Sequence, residues 1–248
     1  PGATPILNLH APPSLSAAQQ RSTLDLVQSM NRRHMEARDG DDELSARISS
    51  YELAFRMQTT APEMIDLRQE TAETKTLYGL DDPKSREFGE RCLLARRMIE
   101  RGVRFVQVYS GDTNGWDAHN DVDKNHTEYC RRTDQPVAGL LRDLKRSGLL
   151  EDTLVLWGGE FGRTPTCQGK GHDGRDHNPE GFTMWLAGGG VRGGIQYGAT
   201  DDYGYYATED KVHMHDLHAT MLHLLGIDHL RPTHRHAGRD HRLTDVAA

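Results

Sequence analysis

A mostly parallel α/β sheet flanked by helices is the fold class that this 248-residue sequence predicts. Three observations lead there. Short runs of β-branched and aromatic residues occur at 103–109, 153–157 and 182–187, and a helical stripe separates the first two. The polar clusters that carry chemistry fall just beyond or just before those runs, which is where open α/β sheets bind their ligands.

The first hundred residues read as helices joined by polar turns. From Ser14 to about Arg38 the pattern is helical, with Leu24 and Val27 on one face, and Asp39-Gly40-Asp41-Asp42 breaks it. Leu44, Ile48, Tyr51 and Phe55 then follow at steps of four, three and four, the apolar stripe of an amphipathic helix that Ala61-Pro62 ends. After a loop containing Tyr78-Gly79-Leu80-Asp81-Asp82-Pro83, the same spacing returns in Phe88, Cys92, Ala95 and Ile99, and Gly102 stops it. Residues 1–102 are therefore expected to form a helical covering segment.

From residue 103 the character changes. Val-Arg-Phe-Val-Gln-Val-Tyr at 103–109 reads as a strand, followed by a helix carrying Val137, Leu140, Leu141 and Leu144 that ends near Gly148. Thr-Leu-Val-Leu-Trp at 153–157 reads as a second strand and Phe-Thr-Met-Trp-Leu-Ala at 182–187 as a third. A last helix from about Asp216 places Leu217, Met221, Leu224 and Leu225 on one side and stops at Gly226. Strand, helix, strand at this spacing implies a right-handed crossover between parallel strands. Residues 103–248 would form the α/β portion, in one structural domain with the helical segment. So few strands leave both sheet edges open, and the chain starts at Pro1 without a methionine, so the expectation is a sheet that lacks its N-terminal strands.

Composition narrows the function classes. Hydrophobic residues make up 35% and charged residues 27%, and no run approaches the roughly 20 apolar residues of a membrane helix. A net charge of -7, with basic residues interleaved among acidic ones, argues against a nucleic-acid surface. Three cysteines without short spacing give neither a disulfide framework nor a zinc ribbon. Histidine is the outlier, because twelve of the fourteen lie after residue 118.

Those histidines sit among carboxylates. Trp116-Asp117-Ala118-His119-Asn120 follows the first expected strand, Gly158-Gly159-Glu160-Phe161-Gly162-Arg163-Thr164-Pro165 follows the second, and Gly174-Arg175-Asp176-His177-Asn178-Pro179 precedes the third. Imidazoles and carboxylates on one rim suit a divalent metal, zinc in the first place, with calcium, manganese or magnesium as alternatives. Each cluster also has a plainer reading. Asp117 fits a turn-capping residue, and Asp121 and His126 compete with Asp117 and His119 as ligands. Glu160 fits a cap on a glycine turn, and Asp176-His177 fits a solvated pair beside His172 and Asp173. His213 and His215 fit a helix N-terminus better than a metal. Arg163 has the planar fork that grips an anionic oxygen. Gly188-x-Gly190-x-x-Gly193 matches a dinucleotide fingerprint in letters only, since Gly194 and Gly198 replace the helix that would hold a pyrophosphate.

These motifs, with His215-Asp216-Leu217-His218 running on to Ile227, resemble the DUF1501 family of bacterial proteins, abundant in planctomycetes and often labelled sulfatases. That resemblance implies kinship with the alkaline phosphatase and sulfatase superfamily, an alkaline phosphatase-like sheet, a divalent metal and export to the periplasm. It implies metal ligands at Asp117, His119, Glu160 and His177, and an anion contact at Arg163. Phe161 stands where the superfamily carries a histidine, and no nucleophile of the Ser, Thr or modified-Cys kind is found. The expected function is metal-dependent hydrolysis of small phosphate or sulfate esters, with this chain carrying part of the site. The rival expectation is a non-catalytic binding or scaffold relative.

Overall fold

Helical periodicity governs the first half of the chain. The computed structural model describes residues 14–36, 42–111 and 115–244. Pro1–Glu70 and Thr71–Ala248 are separate compact units. In the first, α1 (Ala17–Glu36) and α2 (Asp42–Ile65) form a helical pair, followed by a 3-10 turn at Leu67–Gln69. Ser16 and Gln19 cap α1 reciprocally: the Gln19 amide donates to Ser16 Oγ at 3.3 Å, and Gln19 Oε1 accepts from the Ser16 amide at 3.0 Å. Glu52 of α2 takes Arg21 at 3.4 Å and Gln28 at 2.5 Å, and the Arg21 guanidinium lies 5.0 Å from the Phe55 ring centroid. The expected stop at Ala61-Pro62 is overrun by four residues. Of the break expected at Asp39-Gly40-Asp41-Asp42, the first three residues lie outside the described residues and Asp42 begins α2.

The second unit is built around one residue. Tyr78, at the end of α3 (Ala72–Leu77), is fully buried between α4 (Arg86–Glu100) and α5 (Val122–Arg146). Both long helices approach its backbone through glycine. A Cβ on Gly139 would lie 2.5 Å from the Leu77 carbonyl oxygen, and one on Gly89 would overlap the Tyr78 carbonyl. The Tyr78 hydroxyl donates to Asp143 Oδ2 at 3.0 Å, and Arg96 and Arg146 pair with the same carboxylate at 3.0 and 2.9 Å. Burial together with the Asp143 charge raises the Tyr78 pKa well above the ordinary phenol value. Phe88, Cys92, Leu93, Ala95 and Leu144 complete this core.

The parallel α/β sheet expected from the sequence does not form. Among the described residues the strands are eight short segments in four separate antiparallel pairs: β1 (Val155–Trp157) with β4 (Trp185–Ala187), β2 (Gly162–Gln168) with β3 (Gly174–Asn178), β5 (Ala199–Thr200) with β6 (Ala207–Glu209), and β7 (Thr233–His236) with β8 (Arg239–Arg242). The fold is a mixture of helices and short antiparallel strand pairs, and the described residues form no alkaline phosphatase-like parallel sheet. Two local causes account for the difference. The run at 103–109 is extended but pairs with no described strand, leaving Phe105 and Tyr109 72% and 65% exposed. Strand preference describes a fit to a pleated, half-buried surface, and among the described residues no strand offers one to this run. Second, the other two expected strands contribute only their last three residues and face each other antiparallel, with Trp157 opposite Trp185 and their rings 6.1 Å apart. At 162–178 Gly162, Pro165 and the charged residues conceal a hairpin that strand preference does not reveal.

The remaining elements close the unit. α6 (Met214–Leu224) starts with His213 as its cap: its Nδ1 accepts the His215 amide at 3.2 Å, and Asp216 accepts the His213 amide at 2.8 Å. Gly188, Gly189 and Gly190 all have positive φ, which lets the chain turn against Leu150, and no helix follows them. No described helix is long and apolar enough to cross a membrane.

Candidate functional site

The hairpin of β2 and β3 docks on the loop before α5, and this contact assembles the site. The loop is fixed from the helix side by Asn125, whose Nδ2 donates to the Gly115 carbonyl at 3.0 Å, and by His126, whose Nε2 lies 3.3 Å from the Trp116 carbonyl oxygen. From the hairpin side, the Arg175 amide donates to the Ala118 carbonyl and the Val122 amide donates to the Asp173 carbonyl, each at 3.0 Å. Gly174 is required at the contact, because a Cβ there would overlap the His119 carbonyl. Within the hairpin Arg163 pairs directly with His177, so the two side chains are neighbours opposite the loop.

Three sequence-proposed ligands converge on one point. Asp117 Oδ1 lies 3.0 Å from His119 Nε2 and 2.9 Å from His177 Nε2, and the two nitrogens are 3.2 Å apart. Among the described residues these are the one group of three side chains whose ligand atoms lie close enough to hold an ion. Tetrahedral zinc with bonds of about 2.0–2.1 Å separates its ligand atoms by roughly 3.3 Å, so the triangle matches one face of such a site, slightly contracted. Glu160 stands apart from the triangle. Its Oε1 takes Arg163 Nη2 at 3.1 Å, and that nitrogen lies 3.5 Å from Asp117 Oδ1. Arg163 therefore links Glu160 to the cluster. Asp121 and His126, the competing candidates, serve the start of α5.

One participant was not anticipated from the sequence. Gln168 Oε1 lies 2.7 Å from His119 Nδ1, a contact in which the amide oxygen accepts when the proton is on Nδ1. In neutral His119 the Nε2 lone pair then points at a carboxylate oxygen and toward a second imidazole. That convergence of lone pairs calls for a cation, either a proton or a metal. The Gln168 hydrogen bond is the largest influence raising the His119 pKa, and it is reinforced by Asp117 and Asp176 against partial desolvation. At Asp117 desolvation pushes upward, but the His177 hydrogen bond and the charges of His119, Arg163 and His177 outweigh it, leaving the carboxyl below its usual range. Gln168 could have been found only from the hairpin register, which pairs it with Gly174.

The walls are aromatic and polar. The Phe161 ring lies 4.5 Å from the His177 ring and 5.3 Å from the Arg163 guanidinium. The neighbouring hydroxyl, Thr164, is already engaged: it donates to the Thr166 carbonyl at 3.1 Å and accepts from the Asp176 amide at 3.1 Å.

Fold and site together define a helical protein with short hairpins that gathers an aspartate and two histidines around a single point. The chain belongs to the family described as protein of unknown function (DUF1501), whose profile covers residues 1–248. No curated protein and no solved structure matches it.

Proposed function

We propose that Asp117, His119 and His177 hold a divalent metal, zinc by ligand type, in a hydrolase acting on small phosphate or sulfate esters. The observation that carries this reading is the meeting of three ligand atoms within 3.2 Å, with Gln168 in contact with the other nitrogen of His119. When bound, the ion would supply Lewis-acid stabilisation of charge on an ester oxygen. The protein's own contributions are distinct. Gln168 holds the His119 proton away from the ligand atom, and the β2–β3 pairing sets His177 beside Arg163. The Arg163 fork would take an ester oxyanion by exchanging its contact with Glu160, which is 59% exposed on its side chain and free to swing into water. Thr164 is committed to the backbone, and this reading assigns the attack to water. The ester chemistry rests on the resemblance of the motifs to sulfatase-type sequences and does not invoke a shared sheet.

The test is direct. After reconstitution, elemental analysis of the protein should return at least one equivalent of divalent ion, and less than one refutes the reading. Turnover of an aryl phosphate or aryl sulfate should be abolished by His177→Ala.

A second reading is favoured by Phe161. Its ring packs against His177 where a further ligand would stand, which suits a metal-holding module that binds anions without hydrolysing them. Metal uptake without turnover on either ester class would select this reading.

A further inference from the structure

We propose a second transition-metal site on the C-terminal hairpin, formed by His234, His236 and His241. It rests on observations independent of the Asp117 cluster. The turn Ala237-Gly238 has φ of +49° and +82°, the two positive values of a type I′ connection, which fixes the register of β7 and β8. That register sets His234 opposite His241. Directly opposed residues share a face, and residues two apart on a strand share it too, so His236 joins them. The opposite face carries Thr233, Arg235, Asp240 and Arg242, where Arg235 pairs with Asp240 at 3.5 Å, so no carboxylate competes for the imidazoles.

The three rings are exposed. The His234 and His236 rings lie nearly parallel at 14°, with centroids 6.4 Å apart. The ring nitrogens do not converge in this structure; chelation, which needs them roughly 3 Å apart, requires χ rotation of the exposed rings, a motion of the ps–ns scale. Three imidazoles form a complete protein ligand set for four-coordinate zinc that retains one open position. An all-nitrogen, carboxylate-free set selects borderline divalent ions, copper most strongly and zinc after it, over magnesium or calcium. Arg239 stands opposite His236 at the turn end. The hairpin base is tied by His229 Nδ1 and Thr244 Oγ1 at 2.7 Å.

The experiment titrates the full chain with Zn²⁺ by calorimetry and with Cu²⁺ by electron paramagnetic resonance. Three proteins are compared: the unaltered chain, His234→Gln/His241→Gln, and His119→Ala/His177→Ala. The expected result is one equivalent fewer in the hairpin variant than in the unaltered chain, with loss of nitrogen hyperfine structure from its copper spectrum, and retention of that equivalent in the His119/His177 variant. Equal stoichiometry and identical spectra for the hairpin variant and the unaltered chain overturn the proposal. The single variant His236→Gln, expected to weaken the same equivalent, covers the case in which the double variant is poorly folded. A protein whose only equivalent vanishes with His234 and His241 would keep this site and remove the Asp117 centre.

Discussion

Replacing Gln168 with leucine removes one acceptor and leaves every candidate ligand in place. The side chains are similar in volume, and Gln168 is half-buried at the end of β2, so the hairpin should survive. What is lost is the 2.7 Å hydrogen bond that keeps the proton on His119 Nδ1. Without it, the Asp117 carboxylate 3.0 Å from Nε2 draws the proton to that nitrogen and blocks the ligand position. Partners of this outer-shell kind contribute about 10–100-fold to metal affinity, or about 1.4–2.7 kcal/mol. Zinc affinity measured by chelator competition should fall by that factor in Gln168→Leu and recover in Gln168→Glu, which restores an acceptor. Imidazole ¹⁵N spectra of the metal-free protein should show the Nδ1–H form of His119 in the unaltered chain and a shift toward Nε2–H in the leucine variant. A zinc affinity unchanged by Gln168→Leu, or an Nε2–H tautomer in the unaltered chain, would refute the argument.

Three further outcomes follow from the geometry. Gly174→Ala places a methyl on the His119 carbonyl, so the hairpin must shift; metal affinity should drop while α4 and α5 keep their helical circular-dichroism signal. Tyr78→Phe removes one hydrogen bond to Asp143 but leaves the carboxylate its two arginines, so urea unfolding should register a loss near the low end for a charged acceptor, about 1.5 kcal/mol. The third concerns pH. In the metal-free protein the raised His119 pKa stabilises the fold fully below the ordinary imidazole value of about 6.5, and this is lost as pH rises through the folded value; the lowered Asp117 pKa stabilises fully above the ordinary carboxylate value of about 3.9, and this is lost as pH falls through the folded value. Both contributions are complete together between about pH 4 and 6.5. Metal uptake runs the other way, because it needs neutral imidazole: zinc affinity should weaken as pH falls, and the raised His119 pKa moves that weakening to higher pH. Melting curves with zinc and with chelator should therefore diverge as pH rises.

Helices and hairpins differed in how far the sequence revealed them. Phe88, Cys92 and Ala95 repeat at helical spacing and are buried in α4, because an apolar stripe carries its own period and needs no partner to be recognised. The sheet needed partners. Leu156 and Leu186 have the composition of buried strands, yet composition does not encode direction, and the structure pairs them antiparallel. At the site, Asp117 and His177 stood out by residue type, and the structure brings them within 2.9 Å across sixty residues of chain. Gln168 has an ordinary amide side chain with no motif around it. Its place beside His119 is set by a hairpin whose strands contain glycine, proline and arginine, residues that local preference assigns to loops.

The run at 103–109 carries a consequence for handling the protein. Val-Arg-Phe-Val-Gln-Val-Tyr is seven residues of high strand preference, with one charge and neither proline nor glycine, held extended and ending where Arg91 grips the Tyr109 carbonyl at 2.8 Å. A segment of that composition, paired with no strand among the described residues, is a template onto which an identical segment of another molecule can add. Concentrated samples should thicken into β-rich assemblies through this strip, and Phe105→Lys, on its exposed side, would act as the gatekeeper that keeps molecules apart.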